Sequence, residues 1–599
     1  MKLCIAEKPS VARQIATVIG ATHMREGYME GAGYCVTWTY GHLCELKEPK
    51  DYTTAWSKWS LVHLPMIPPK FGIKLKNDDG IRAQFEVIRN LMHQAEEVIN
   101  CGDAGQEGEL IQRWVMQLAK NPAPVKRLWL SSMTNEAIKE AFANLDPAEK
   151  YDNLYYAGMT RAVGDWLLGI NATRLYTVKF HPGQFGKILS IGRVQTPTLA
   201  LIVDRHEEIQ NFRPQPYWEI KTLYRDATFV STKGRYTDIE AATAVINLIK
   251  DAKLTVTKVE KKKGKEGPPR LFDLTSLQIE VNKKYGYSAD DTLKTLQNLY
   301  ERKLVTYPRV DTTYLPEDVY PKIPDIMNKL YARVPELIDP IAKKKIRKSK
   351  KVFDNSKITD HHAIIPTGEL AKGLSVSEGV IYDLITSRFI AAFYPDMEYE
   401  QTTVMADIAG HSFKTSGRVI TSEGWRFVYR NDNKQDDDDA EPSGDKALLP
   451  PFVPGEHGPH KPELLEKQTQ PPKPYTEGTL LNAMETAGKL VDNEDLREAM
   501  KQKGIGRPST RASIIQTLLQ RDYVRKQRKS LVPTELGINL IHTIQNELLK
   551  SVQLTGEWEY KLRQIEQNKY SPKTFLDELK EMVHELVEEV LRINPAKGG

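Results

Sequence analysis

A chain of 599 residues with 40% hydrophobic and 27% charged side chains is too long for a single hydrophobic core and has the make-up of an ordinary multidomain globular protein, about four domains by length. A net charge of +5 is too small at this length to argue for nucleic-acid binding from the total, so any such argument has to come from local sites. Mean hydropathy is −0.48 and no apolar run approaches the ~20 residues that cross a bilayer, which argues against membrane insertion.

The opening M-K-L-C-I-A-E-K-P-S places acid and base within its first eight residues and lacks the apolar core and cleavage site of a secretory signal, so a cytoplasmic protein is expected. Cys4, Cys35, Cys44 and Cys101 form no C-x-x-C pair and have no nearby histidine ladder at zinc spacing; they read as reduced core thiols.

K-L-C-I-A is a short apolar strand ending at Glu7, and Val11, Ile15 and Val18 then recur at helical spacing. The same grammar returns where E-E-V-I-N-C runs into G-D-A-G-Q-E-G and then into a helix with Leu110, Ile111, Trp114, Val115 and Leu118 on one face. Residues 1–150 are therefore predicted to be α/β, with two acidic loops at strand ends, where open sheets gather functional groups. Glu7 and Lys8 come from one loop, and Asp103, Glu107 and Glu109 from the other. Hard carboxylate oxygens suit Mg²⁺, although by spacing alone a solvated acidic loop explains D-x-G-x-E-G-E equally well.

Residues 155–212 are largely helical in pattern and include L-S-I-G-R-V-Q-T-P-T-L. Its small-residue turn predicts exposed backbone amides ahead of a phosphate-gripping helix start, with helix capping as the plainer account of part of it. A β-rich run, Y-W-E-I-K-T-L-Y, begins after Pro214, and the basic run K-K-K-G-K-E-G-P-P at 261–269 reads as a hinge or linker. A further helical region contains Tyr307 in T-Y-P-R-V-D. Its hydroxyl can act as a covalent nucleophile but is neutral at pH 7 without help, and Arg309 can fork onto phosphate oxygens; a surface tyrosine remains the commoner reading of such a triplet.

T-D-H-H-A-I-I-P-T offers His361 and His362, either as phosphate contacts or as a structural pair; the metal phosphoesterase reading would need further Asp and His clusters that are not found. Residues 431–446 form an acidic insertion, a solvated loop by composition, and the chain closes on an amphipathic helix with Phe575, Leu576, Leu579, Met582, Val583, Leu586 and Val590 on its apolar face. No repeat of solenoid length is found. No G-x-x-x-x-G-K-[ST] loop occurs, so ATP is not an expected cofactor.

In chain order, the strings I-A-E-K-P-S-V-A, D-A-G-Q-E-G-E-L-I, S-I-G-R-V-Q-T-P-T-L, P-P-R-L-F-D-L-T-S-L-Q, L-Y-E-R-K-L-V-T-Y-P-R-V-D, H-H-A-I-I-P-T, Y-T-E-G-T-L, G-I-G-R-P-S-T-R-A and L-T-G-E-W-E resemble the type IA DNA topoisomerases across almost the whole chain, nearest to the topoisomerase III subtype. The resemblance implies a multidomain protein of α/β, α and β parts: a Rossmann-like toprim domain over 1–150 and a toroidal type IA core over 151–599. Within that core it implies a helical DNA-binding part (151–213), the first part of a β-rich arch (214–265), a helical domain with the catalytic tyrosine (270–400), the returning arch with the acidic insertion (401–470) and a C-terminal helical DNA-binding part (471–599).

Residue by residue, the resemblance implies that Tyr307 attacks a phosphodiester and becomes joined to the 5′ phosphate, with Arg309 holding that phosphate. It implies Glu7 as general acid or base assisted by Lys8, His361 at the phosphate, and Mg²⁺ held by Glu7, Asp103 and Glu107. Arg161 and Asp165, with Arg174, Ser190, Ile191, Gly192, Arg193, Val194 and Gln195, would bind the strand.

Implied partners are single-stranded DNA and duplexes with single-stranded regions, a helicase being a further candidate; a monomer in the bacterial nucleoid is expected. Transesterification conserves the energy of the phosphodiester, which fits the missing ATP loop. Two departures stand out. The family usually reads D-x-D-x-E, whereas position 105 is Gly and Gln106 replaces the usual arginine, which implies weaker Mg²⁺ binding or one metal fewer. The tail ends at P-A-K-G-G with neither zinc ribbons nor a basic extension, which implies weak accessory DNA binding. The competing readings are a non-cleaving single-strand clamp and another toprim enzyme, a primase or nuclease.

Overall fold

A computed structural model of the chain describes residues 1–130, 133, 135–181, 188–358, 361–430, 449–490, 494, 497 and 504–593. The acidic insertion at 431–446, Asp360 and the terminal P-A-K-G-G lie outside the described residues.

The first sheet has seven strands in the order His23–Arg25, Tyr28–Gly31, Tyr34–Trp38, Lys2–Ala6, Glu97–Cys101, Val125–Arg127, Asp146–Pro147. Lys2–Ala6 is its centre and runs parallel to both neighbours, with Ala6 opposite Trp38 on one side and Cys101 on the other. Buried on both faces, these strands are the continuous apolar runs expected of a parallel sheet. This register makes the chain leave both strands at the same level, so Glu7 emerges beside Gly102 and Asp103. The helix Pro9–Ile19 starts at once, with Pro in its first turn and Gly20 in the left-handed conformation closing it. The four cysteines are buried and free.

A 29-residue helix, Asp152–Phe180, forms the spine of the largest core. It packs against Gln553–Glu566 and Pro572–Arg592, whose buried face is Phe575, Leu579, Val583, Leu586, Val587 and Val590. Gly164 permits the closest approach, since a Cβ there would meet Trp558 and Leu579 at 2.8 Å. Tertiary packing of this kind, more than propensity, stabilises such helices.

The second sheet is an all-antiparallel set of seven strands in the order His457–Gly458, Leu254–Glu266, Met397–Ile408, His411–Ser422, Ala227–Tyr236, Pro216–Tyr224, Lys461–Gln468. This corrects the reading of 261–269 as a linker: residues 261–266 are the end of the strand Leu254–Glu266, paired with Met397–Ile408. The physical reason is cross-strand charge pairing. Lys261 meets Glu400 and Lys265 meets Glu398, so a run that looks like solvated basic chain is neutralised by its partner strand.

The helices Leu274–Tyr285, Ala289–Glu301, Ile323–Leu330, Pro335–Ala342 and Val376–Ala391 enclose a separate core. Here the segment around 304–307 lies against 363–367: Thr306 N donates to Ile365 O at 3.0 Å, Ile365 N to Thr306 Oγ1 at 2.9 Å, and Thr367 N to Leu304 O at 3.0 Å. This short pairing brings L-V-T-Y-P-R and H-H-A-I-I-P-T together.

Candidate active site

Tyr307 meets the first sheet at the two acidic loops. Lys8 Nζ donates to the Tyr307 hydroxyl at 2.6 Å and to Asp103 Oδ2 at 3.0 Å, and the hydroxyl itself donates to the same Asp103 oxygen at 3.2 Å. The ammonium also lies 4.4 Å from the centre of the tyrosine ring and 3.8 Å from Glu7 Oε1. Glu7 Oε2 accepts the Asp103 backbone N–H at 3.4 Å. The His361 ring lies 4.2 Å from that of Tyr307, centre to centre, and its Nε2 is buried without a hydrogen bond.

Little water reaches this cluster, and its electrostatics reflect that. Burial, then the neighbouring Asp103 carboxylate, pushes Glu7 up to about 7. Burial would raise Asp103 as well, but Lys8, His361 and the tyrosine hydrogen bond outweigh it and hold this carboxyl below its ordinary value. Burial and Asp103 push the Tyr307 hydroxyl well above the usual range, and burial lowers His361 to about 4, so both are neutral at pH 7. Lys8 stays charged despite its burial because Asp103, Tyr307 and Glu7 surround it.

The remaining acids of the metal loop face elsewhere. Glu107 accepts from His42 Nε2 at 2.6 Å and from Arg507 Nη1 at 3.1 Å, which hold it down to about 2, the histidine hydrogen bond first. Glu109 is fully buried between Arg113 and Arg127 at 2.7 and 2.9 Å, a structural ion pair. Gln106 bridges Arg507 and Glu566. Gly108 lets this loop turn tightly, since a Cβ there would stand 2.2 Å from the Asp103 carbonyl oxygen.

The expected strand-binding residues fall into three sets. Arg161 pairs with Glu559 at 2.7 Å, and Asp165 pairs with Arg193 at 2.9 Å; the two are not partners of each other. Arg174 braces the segment 56–66, donating to Trp56 O at 2.7 Å with its guanidinium over Trp59. The expectation of exposed amides is corrected for residues 190–192. Ser190 N donates to Tyr523 Oη at 2.8 Å, Ile191 N to Thr173 Oγ1 at 3.1 Å and Gly192 N to Thr196 Oγ1 at 3.0 Å. Buried amides need partners, and these hydroxyls are nearer than any ligand. Ile191 is buried and Val194 packs on Gly506, whereas Gln195 and Ser190 side chains share Arg521. Arg309 is exposed and has no ion pair among the described residues. Sequence reasoning missed His42, Arg507, Arg521 and Glu559; of these, Arg507 and Glu559 sit in strings that carried the resemblance.

Residues 149–577 match the family described as DNA topoisomerase and residues 2–133 the Toprim domain. The chain belongs to the DNA topoisomerase family, in its type IA branch. Among relatives, the DNA topoisomerase 3 of Bacillus cereus is 38% identical over 98% of this chain and 81% of its own length, and that of Bacillus subtilis is 37% identical over the same shares. The fold is that of a full-length topoisomerase I from Thermotoga maritima, with a TM-score of 0.71 at 24% identity, covering 99% of this chain and 91% of that one.

Such families are generally Mg²⁺-dependent. Here Glu7, Asp103 and Glu107 do not converge into a cage. Glu107 is turned to His42 and Arg507, Gly105 supplies no carboxylate, and no cluster of three acidic, His or Cys side chains suited to a metal exists among the described residues. The cation between Glu7 and Asp103 is the lysine's own. Position 105 also has a backbone reason to be glycine: its φ of 155° and ψ of 172° belong to a region that other residues enter at a cost of about 1–3 kcal/mol. Gly105→Asp is therefore expected to lower stability by about that amount in urea denaturation; unchanged stability would mean the loop accommodates the family's usual aspartate freely.

Proposed function

We propose that this topoisomerase cuts one DNA strand with Tyr307, passes DNA through the break and reseals it, relaxing negative supercoils and unlinking DNA without ATP. The observation that carries this reading is the hydroxyl of Tyr307, which accepts from Lys8 and donates to Asp103. The phenolic oxygen would bond to phosphorus while the bond to the 3′ oxygen breaks; Asp103 is placed to take the phenolic proton and Lys8 to steady the phenolate charge. Glu7, half-protonated near pH 7, suits proton transfer to the departing 3′ oxygen and back again on resealing. Neutral His361 packs on the tyrosine, and exposed Arg309 is free to hold the phosphate.

Strand binding would fall largely to side chains, Arg161, Arg193 and Arg521 among them, because the amides of residues 190–192 are taken. The substrates are single-stranded DNA and duplexes with single-stranded regions. Mg²⁺ is the cofactor expected of the family, and its binding here would require Asp103 to leave Lys8 and Glu107 to leave His42 and Arg507. No helix among the described residues is long and apolar enough to cross a membrane, which accords with a cytoplasmic enzyme.

The test is to denature a reaction on a labelled single-stranded oligonucleotide and map the adduct: label must appear on the peptide containing Tyr307. Unsealed cuts without adduct would point to a nuclease, and binding without any cut to an inert clamp. The pH profile tests Glu7. If its protonated form feeds the leaving oxygen, single-turnover cleavage falls as pH rises through about 7, while resealing of the adduct rises. Glu7→Gln is expected to slow both and flatten both profiles; an unchanged inflection would assign it to another group.

A further inference from the structure

A second charged cluster lies beside the active centre and takes no part in the strand-cutting chemistry. Arg161 from the helix Asp152–Phe180, Arg193 from the turn ahead of Gln195–Gln210, and Glu559 from the helix Gln553–Glu566 meet there. Arg161 Nη2 donates to Glu559 Oε2 at 2.7 Å, while Arg193 Nη1 lies 3.5 Å from Glu559 Oε1. One carboxylate thus spans two guanidiniums, one oxygen to each. Asp165 holds the other edge of Arg193, and the indole of Trp558 lies under its guanidinium at 5.0 Å.

Both arginines are well enclosed, their side chains 13% and 6% exposed; Arg161 Nε is buried and makes no hydrogen bond, and Arg193 Nη1, also buried, has only its long 3.5 Å contact with Glu559. Buried donors are normally satisfied, so an unbonded Nε next to an Nη1 with only a long contact marks room for a stronger acceptor. The two arginines differ in their charge surroundings: Asp165 and Glu559 outweigh burial at Arg193 and hold it above its ordinary value, whereas Arg161 is short of negative charge. Burial and the like charge of Arg507 together lower Arg161 to about 10, with Glu559 the leading opposing group. Arg507 in turn holds Glu107 of the acidic loop. A phosphate offers more oxygens in the same fork geometry and would engage donors that a carboxylate cannot reach at once.

We propose that Glu559 is an internal counter-anion seated between Arg161 and Arg193 in the DNA-free enzyme, and that a backbone phosphate of single-stranded DNA displaces it. Glu559 then sets how tightly the strand is held, trading affinity for a charge-balanced interior when no strand is bound. The proposal rests on the reading that this face binds single strands.

The experiment measures fluorescence anisotropy of a labelled oligothymidylate at fixed salt. Glu559→Gln keeps shape and removes the competing charge, and is expected to bind about tenfold more tightly than wild type. Glu557→Gln, the same change of net charge two residues away on the same helix, is expected to shift affinity less than about twofold. In an Arg161→Gln background the gain from Glu559→Gln is expected to shrink, since one of the two contested guanidiniums is gone. Equal or weaker binding by Glu559→Gln overturns the proposal, and so does a gain that persists undiminished without Arg161, which would be a long-range charge effect. If Glu559→Gln does not fold, Glu559→Asp is read by the same criterion: its shorter reach loosens the hold on Arg161 and is expected to tighten strand binding about threefold, and an unchanged affinity overturns the proposal. Should wild type form the Tyr307 adduct while these affinities do not move, only the counter-anion falls; should wild type bind no single strand, the reading beneath it falls.

Discussion

Replacing Tyr307 with phenylalanine is expected to abolish strand cleavage and plasmid relaxation, a loss of about 10⁴-fold or more, as for removal of a covalent nucleophile elsewhere. The ring's packing does not need the oxygen: Tyr300 stands edge-on to it with centres 5.5 Å apart and His361 lies against it at 4.2 Å. Nor does the loss strand its partners, because Lys8 and Asp103 keep each other at 3.0 Å. The variant is therefore expected to fold with a stability change of about 1 kcal/mol and to bind a single-stranded oligonucleotide as wild type does. Melting temperature, anisotropy and adduct formation, read on one preparation, separate these effects. Relaxation at the wild-type rate would place the nucleophile elsewhere, and loss of oligonucleotide binding together with cleavage would reduce Tyr307 to a contact residue.

The pieces of the first sheet are legible in the sequence because each is a local pattern: an apolar run of five, an acidic loop, and a helix opened by proline or by glutamates. Their register is not. That Ala6 faces Cys101, which sets Glu7 beside Asp103, depends on a parallel pairing between strands far apart in the chain. The basic run at 261–265 misleads for the same reason, since the glutamates that make it a strand lie on Met397–Ile408. The histidine pair is ambiguous as a string, and the pairing of 304–307 with 363–367 puts His361 on the tyrosine. In the 190–195 segment the glycine and small residues do mark a tight turn, but the hydroxyls of Thr173 and Tyr523 that absorb its amides come from other elements. The metal loop shows the limit most plainly: three carboxylates at chelating spacing say nothing of the lysine, histidine and arginine that claim them.

Lys8→Met is the second substitution with a large expected effect, because this ammonium serves three acids at once. Without it the Tyr307 hydroxyl loses its shortest hydrogen bond, so the phenolate is harder to form, and cleavage is expected to fall about 10²–10³-fold, the cost of removing one preorganised donor. Stability should fall too, by about 3–5 kcal/mol at neutral pH, since Asp103 and Glu7 are left as neighbouring buried acids without their cation. The pH dependence separates this from a packing defect. Asp103 has a depressed pKa in the folded protein, so its pairing contributes stability above its ordinary value of 3.8 and loses it as pH falls through the folded value. The gap between wild type and Lys8→Met is therefore widest near neutrality and narrows toward acid as the orphaned carboxyls take up protons. Urea titrations at neutral and acid pH measure it. A gap of constant size would mean that methionine merely packs badly, and cleavage at the wild-type rate would mean that another cation supports the phenolate.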